Sequence, residues 1–228
     1  MKRAVVISLG GSLIIPDKID YKFLEHFKKT VRAHYRKHKF VAVCGGGSVA
    51  RKYIKALQAE DKNKKEISLA GIRITRMNAQ FMMQFFGKDA NETVPIDMNG
   101  VKNQLKKNNI VFCGALRYAN HETSDGTAAK LANYLKTPFI NLTNVQGLYT
   151  DNPKTNKSAK FIPKISWKDF QKIALKINYK PGQHFVLDQE ASKIIKKHKI
   201  VTYILGPDLK NFDNLLRGKS FVGTTIRG

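Results

Sequence analysis

The chain has 228 residues, 42% of them hydrophobic, with 7 prolines and 2 cysteines. That length allows a substantial core, and that composition excludes disordered, collagen-like and disulfide-framework proteins. Lysine and arginine number 41 against 17 acidic residues, a net charge of +24 that favours anionic partners without naming one. The lysines are scattered along helical segments, as at Lys28-Lys29, Lys106-Lys107 and Lys196-Lys197, and no basic motif is interleaved with aromatics. Solvated helix faces account for the charge better than a nucleic-acid surface. No apolar run reaches membrane-span length. The apolar start after Met1-Lys2-Arg3 is broken by Gly10-Gly11 and ended by Pro16-Asp17, so a soluble cytoplasmic protein is expected. Cys44 and Cys113 each close an apolar run before a glycine, without metal-type spacing, and read as buried thiols.

Residues 3–8 form the first expected strand, followed by the turn Gly10-Gly11-Ser12. A buried strand handing over to glycines brings backbone N–H groups against a phosphate, although a purely structural turn has the same sequence. A helix is expected over 20–37 and a strand over 39–44 that runs into Gly45-Gly46-Gly47. Ser48 is placed to cap the next helix, 48–59. Arg51, one turn in, offers a planar fork to a phosphate, with a surface salt bridge as its rival use. After polar residues 60–66, Gly71 enters a helix over 72–86 that carries Arg73 and Arg76. Its stripe of Met77, Phe81, Met82 and Phe85 serves either the core or a subunit contact.

Further along, a strand at 93–96, a helix at 99–108 and a strand at 110–113 precede the irregular stretch 114–123. Thr123 and Ser124 stand before an Ala-rich helix over 124–136, as caps or as ligands, with Asp125 beside them. A strand over 138–142 ends in Thr143-Asn144, and the polar cluster through Gly147, Tyr149 and Asn152 suits an adenine and ribose pocket. After irregular 151–163 come a helix at 166–176, Lys180-Pro181-Gly182, and Asp188 as the cap of a helix over 188–198. Strands at 201–205 and 220–226 close the chain. Strands alternating with helices imply an α/β protein, a three-layer αβα sandwich on a mainly parallel sheet. Neither a Walker A loop nor a Gly-x-Gly-x-x-Gly fingerprint is present.

Taken together and in order, L-G-G-S at 9–12, G-G-G-x-x-A-R-K-Y at 45–53, G-I-x-I-T-R-x-N-A at 71–79, T-S-D at 123–125, T-N-V-x-G-L-Y-T at 143–150, K-P-G-x-x-x-V-L-D at 180–188 and G-T-T-I at 223–226 resemble the amino acid kinase superfamily, within it the archaeal uridylate (UMP) kinases. The resemblance implies Mg-ATP as donor, UMP as acceptor, and often a hexamer. It places Gly11, Ser12, Gly47 and Arg51 at the ATP phosphates, and Thr143, Asn144, Tyr149 and Asn152 around the rest of ATP. Gly46, Ser68, Arg117, His121, Thr123 and Ser124 fall on the acceptor side. Arg51, Lys180 and Asp125 are the catalytic candidates, and no protein metal site is implied. One domain over 1–228 is expected, its acceptor half about 1–120 and its ATP half about 121–228.

The chain departs from the family where a lysine commonly precedes the first glycine pair, here Ser8, and where an aspartate holds the acceptor ribose, here Ser68. Gln146 replaces another aspartate, and Lys180 is the substitute cation for the missing lysine. These departures leave two alternatives: a nucleotide-binding regulatory homologue, or a kinase of this fold with another small acid or phosphate as acceptor.

Overall fold

A computed structural model describes residues 2–118, 123–153, 155–176 and 186–228. The order is β1 (Arg3–Leu9), α1 (Gly11–Ile14), α2 (Tyr21–Ala33), β2 (His38–Cys44), α3 (Gly47–Ala59), α4 (Lys64–Phe86), α5 (Met98–Lys107), β3 (Ile110–Cys113), α6 (Ser124–Tyr134) and β4 (Phe139–Leu142). Then come β5 (Leu148–Tyr149), β6 (Phe161–Ile162), β7 (Lys164–Ile165), α7 (Trp167–Lys176), α8 (Gln189–His198), β8 (Thr202–Leu205), α9 (Leu209–Leu216) and β9 (Thr224–Ile226). Seven strands form one sheet in the order β3-β2-β1-β4-β8-β9-β7, and β5 pairs with β6 apart from it. The five strands from β3 to β8 run parallel, and β9 is antiparallel to β8.

Both faces of the sheet are covered, so its strands are apolar almost throughout. Val5, Ile7 and Leu9 of β1 face a core with Phe27 of α2, Phe86 of α4 and Phe212 of α9. Val6 faces the other core, built from α5, α6, α7 and α8. Alternation puts Ser8 on Val6's side, in register with Asn141 of β4, so two polar residues stand side by side beneath α6 and α8. The phenylalanine cluster is fully buried, and truncating one member to alanine would cost about 3–5 kcal/mol. Burial pushes the Cys44 thiol well up and that of Cys113 to about 12, as suits inert core residues.

Several sequence expectations need correction. Residues 93–96 form no strand, and only Ala90 makes an isolated bridge, to Ile110. The long helix begins at Lys64, because Asn63 and Glu66 make a reciprocal capping box inside the stretch expected to be irregular. Gly71 therefore lies within α4 and does not open it. Ser48 does not cap α3. Gly46 occupies that place, and the Ser48 hydroxyl instead donates to the Ile15 carbonyl at 3.2 Å. The α4 stripe divides, with Met82 in the core and Met77 48% exposed. Helix α9, absent from the sequence reading, packs against α2 through Phe212.

Candidate active site

The chain runs outward from β1 to β2 and β3, then returns to place β4 on β1's other side. In an open α/β sheet, this reversal leaves a crevice beyond the carboxyl ends of the strands. The glycine turns after β1 and β2 both lie at that end. The Gly10 amide donates to the Leu142 carbonyl of β4 at 2.9 Å, and the Gly45 amide to the Leu9 carbonyl of β1 at 2.9 Å. Gly10 thereby lies against Thr143, and three strand ends meet at one place.

Between the two turns, backbone touches backbone. A Cβ on Gly11 would come within 2.0 Å of the Gly47 nitrogen, and one on Gly45 within 2.5 Å of the Gly11 nitrogen. Gly47 has φ +64° and lies against the Gly11 carbonyl. No L-residue with a side chain fits these positions without parting the turns. The result is a surface of backbone atoms at the start of α3, whose positive dipole end suits phosphate oxygens. Ser12 is half-buried in α1 beside this surface, and Gly46 is the cap of α3. Arg51, also half-buried, makes no ion pair or hydrogen bond among the described residues, which removes its salt-bridge reading.

One turn of α4 holds much of this frame. The Asn78 amide donates to the Gly45 carbonyl at 2.7 Å. The Thr75 hydroxyl accepts from the Ala115 amide at 3.0 Å, and Arg76 donates to the carbonyls of Ala115 and Leu116. Sequence reasoning marked 71–79 but gave Thr75, Arg76 and Asn78 no part. Thr75 and Asn78, polar residues at i and i+3 on the buried face with Ile72, Ala79 and Met82, are the signal that could have found the group. Ser68 is exposed two turns earlier on α4, and Arg117 is exposed just after the segment that Arg76 holds.

On the other side of β1 lies a polar cluster. The Ser8 hydroxyl donates to Asp125 at 2.6 Å, and Thr123, the N-cap of α6, donates to Asp188, the N-cap of α8. The Asn141 amide donates to the Val186 carbonyl. Ser124 follows Thr123, half-buried in the first turn of α6. Asp125 and Asp188 retain some exposed surface as residues, but their carboxyl groups are withdrawn from water. Desolvation first, then the charge of Asp188, raises Asp125 to about 7 against the pull of the Ser8 hydroxyl. Asp188 is raised as well, chiefly by desolvation, against the donors Thr123 and Ala191. Asp188 was expected only as a cap. Its second oxygen makes it the link between α6 and α8.

Beyond β4, Thr143 donates its amide to the Leu205 carbonyl at 2.9 Å, and Asn144 follows half-buried. Tyr149 packs edge-on against Phe161 with ring centres 5.4 Å apart. Asn152 is exposed in a turn whose backbone closes from Asn156 to its carbonyl. The closing G-T-T-I motif clamps this region, since Thr224 accepts from the Leu148 amide and donates to the Ile162 carbonyl. His121 and Lys180 lie outside the described residues.

A sheet with its switch point between β1 and β4, capped by interlocked glycine turns, defines a phosphate-handling α/β protein. The amino acid kinase family profile matches residues 3–206, and the chain belongs to that family. It is 33% identical to a uridylate kinase of Thermococcus sibiricus over 217 residues, 94% of this chain and 96% of that one. With a uridylate kinase of Archaeoglobus fulgidus it shares 33% over 223 residues, 97% of this chain and 99% of the relative. The crystal structure of uridylate kinase from Archaeoglobus fulgidus superposes with a TM-score of 0.84 at 32% identity, covering 99% of this chain and 100% of that one. A UMP kinase structure from Ureaplasma parvum gives 0.81 over all of both chains at 18% identity, a likeness of fold alone.

Proposed function

We propose that this chain is a uridylate kinase, transferring the γ-phosphoryl group of Mg-ATP to UMP to give UDP and ADP for pyrimidine nucleotide synthesis. Family membership and near-full-length similarity to archaeal uridylate kinases support the reaction class and acceptor. The fit of Gly11 against Gly45 and Gly47, which only glycines permit, carries the reading most strongly, because it builds a backbone cradle at the switch point.

ATP lies with its phosphates over Gly11, Ser12 and Gly47 and its adenosine along Thr143, Asn144, Tyr149 and Asn152. UMP lies on the other side, against Gly46 and the loop from Arg117 through His121 to Thr123 and Ser124, with Ser68 at its margin. An oxygen of the UMP phosphate attacks the γ-phosphorus in line as the bond to the bridging oxygen of ADP breaks. Such transfer asks for position and positive charge more than for covalent chemistry. Arg51 and Lys180 neutralise the developing charge. Mg²⁺ bound with the nucleotide would neutralise phosphate charge, and Asp125 orients groups near the acceptor. Ser8 keeps that carboxylate oriented.

The two halves, about 1–120 for the acceptor and 121–228 for the donor, act as one domain. We further propose a cytoplasmic homo-oligomer, a hexamer, with exposed Met77 on α4 in a subunit contact. Among the described residues no helix is long and apolar enough to cross a membrane. A panel of nucleoside monophosphates with Mg-ATP, followed by ADP release, tests the function. UMP-selective turnover is expected, and no turnover with any acceptor would overturn it. Light scattering tests the oligomer.

A further inference from the structure

The strand β3 leaves the sheet at Cys113, and the next three residues are tied to α4 by backbone and side chains. A Cβ on Gly114 would come within 2.5 Å of the Thr75 hydroxyl and 2.6 Å of the Arg76 nitrogen, so the strap lies directly on the helix. Ala115 donates its amide to Thr75 at 3.0 Å. The Arg76 guanidinium then grips two successive carbonyls, with Nε to Ala115 at 3.1 Å and Nη2 to Leu116 at 2.6 Å. Arg117, the first residue of the acceptor loop, follows at once. The loop's far end is fixed by Thr123 through Gly126 and Asp188. Two residues past Arg76 on the same helix, Asn78 holds the Gly45 carbonyl of the second glycine turn.

We infer that Arg76 is a positioning residue for the acceptor: its fork fixes the segment that leads directly into Arg117 on the acceptor side, next to the helix that also holds the phosphate cradle. The inference rests on the proposed uridylate kinase reading and adds to it a residue that touches only the protein. A guanidinium is needed because two parallel donors from one rigid plane must reach two consecutive carbonyls, and an ammonium presents one point charge instead. A loop root free to shift by about 1 Å would weaken acceptor capture while leaving the donor side intact.

Arg76→Lys separates this geometry from a simple need for charge. The expected result is a KM for UMP raised about tenfold or more, with the KM for ATP within about twofold of the parent. Amide exchange at residues 115–117 should quicken in the same variant, measured on the whole protein without substrates. Thr75→Val, which removes the Ala115 tie together with the hydroxyl's own bond to the Ile72 carbonyl within α4, should move the same two readouts in the same direction. A parent-like KM for UMP in Arg76→Lys would overturn the inference, as would equal rises in both KM values. Absence of UMP turnover in the parent protein would instead count against the uridylate kinase reading, and the exchange measurement would still judge the role of Arg76 in holding the loop root.

Discussion

The two polar centres flanking the end of β1 are built on opposite principles. On one side, Gly11, Gly45 and Gly47 fit backbone to backbone, with no side chain and no titratable group in the contact. On the other, Ser8, Asp125, Thr123 and Asp188 join through side-chain hydrogen bonds around carboxyl groups held above their usual range. The first is fixed by sterics and should ignore pH. The second depends on protonation, so pH and single charge changes should reach it. A phosphate cradle gains from the first design, since its donors must be in place before the charged ligand arrives.

Breaking the steric side should give the largest effect. Gly11→Ala forces a methyl group into the Gly47 backbone and should cost about 3 kcal/mol or more, read as a lowered melting temperature, with turnover lost. An unchanged melt would show that the turns can part freely. Arg51→Ala tests the cradle's charge without its fold. Because Arg51 pairs with nothing in the described protein, kcat/KM should fall about 100-fold or more while the melting temperature moves by less than about 2 °C. Retained turnover would remove Arg51 from the site.

The carboxylate side should respond to pH. Asp125 has a folded value near 7, above its ordinary 3.8, so between about pH 4 and 7 the folded chain binds more protons than the unfolded one. Its contribution is complete at low pH and is lost as pH rises through 7. Asp125→Asn should flatten that decline, so the variant gains on the parent more at pH 8 than at pH 5. Equal melting differences at both pH values would contradict the assignment. The smallest effect is expected at Gly71→Ala. A methyl there meets only the Ile54 Cδ1 atom at 3.6 Å, and replacing a mid-helix glycine should stabilise by about 0.5–1 kcal/mol. Glycine is required where a Cβ would find no room, and the contrast of Gly71 with Gly11 makes that point measurable.

Much of the scaffold was legible in the sequence. The apolar runs ending in Gly10-Gly11 and Gly45-Gly46-Gly47 marked both turns and their strands, and Thr123 and Asp188 were placed as helix caps, as found. The run at 93–96 misled because an extended apolar segment resembles a strand, yet its backbone finds no partner strand. Ser48 misled because capping propensity is local, while the close approach of Gly47 to Gly11 started the helix earlier. The early start of α4 was hidden in polar composition, whereas α9 carried a legible signal that was passed over, Leu209, Phe212 and Leu216 at helical spacing behind the cap Asp208.

The sequence by itself determined the αβα class, the order of its motifs and the family they resemble. Periodicity and glycine placement act over a few neighbouring residues, and a chain carries such information along its length. The tertiary structure decided which groups face one another: that the two glycine turns interlock, that Ser8 meets Asp125 across 117 positions, and that Arg76 holds a loop root 40 positions away. Those pairings follow from strand order and helix packing, which bring distant segments into contact and which no local pattern encodes.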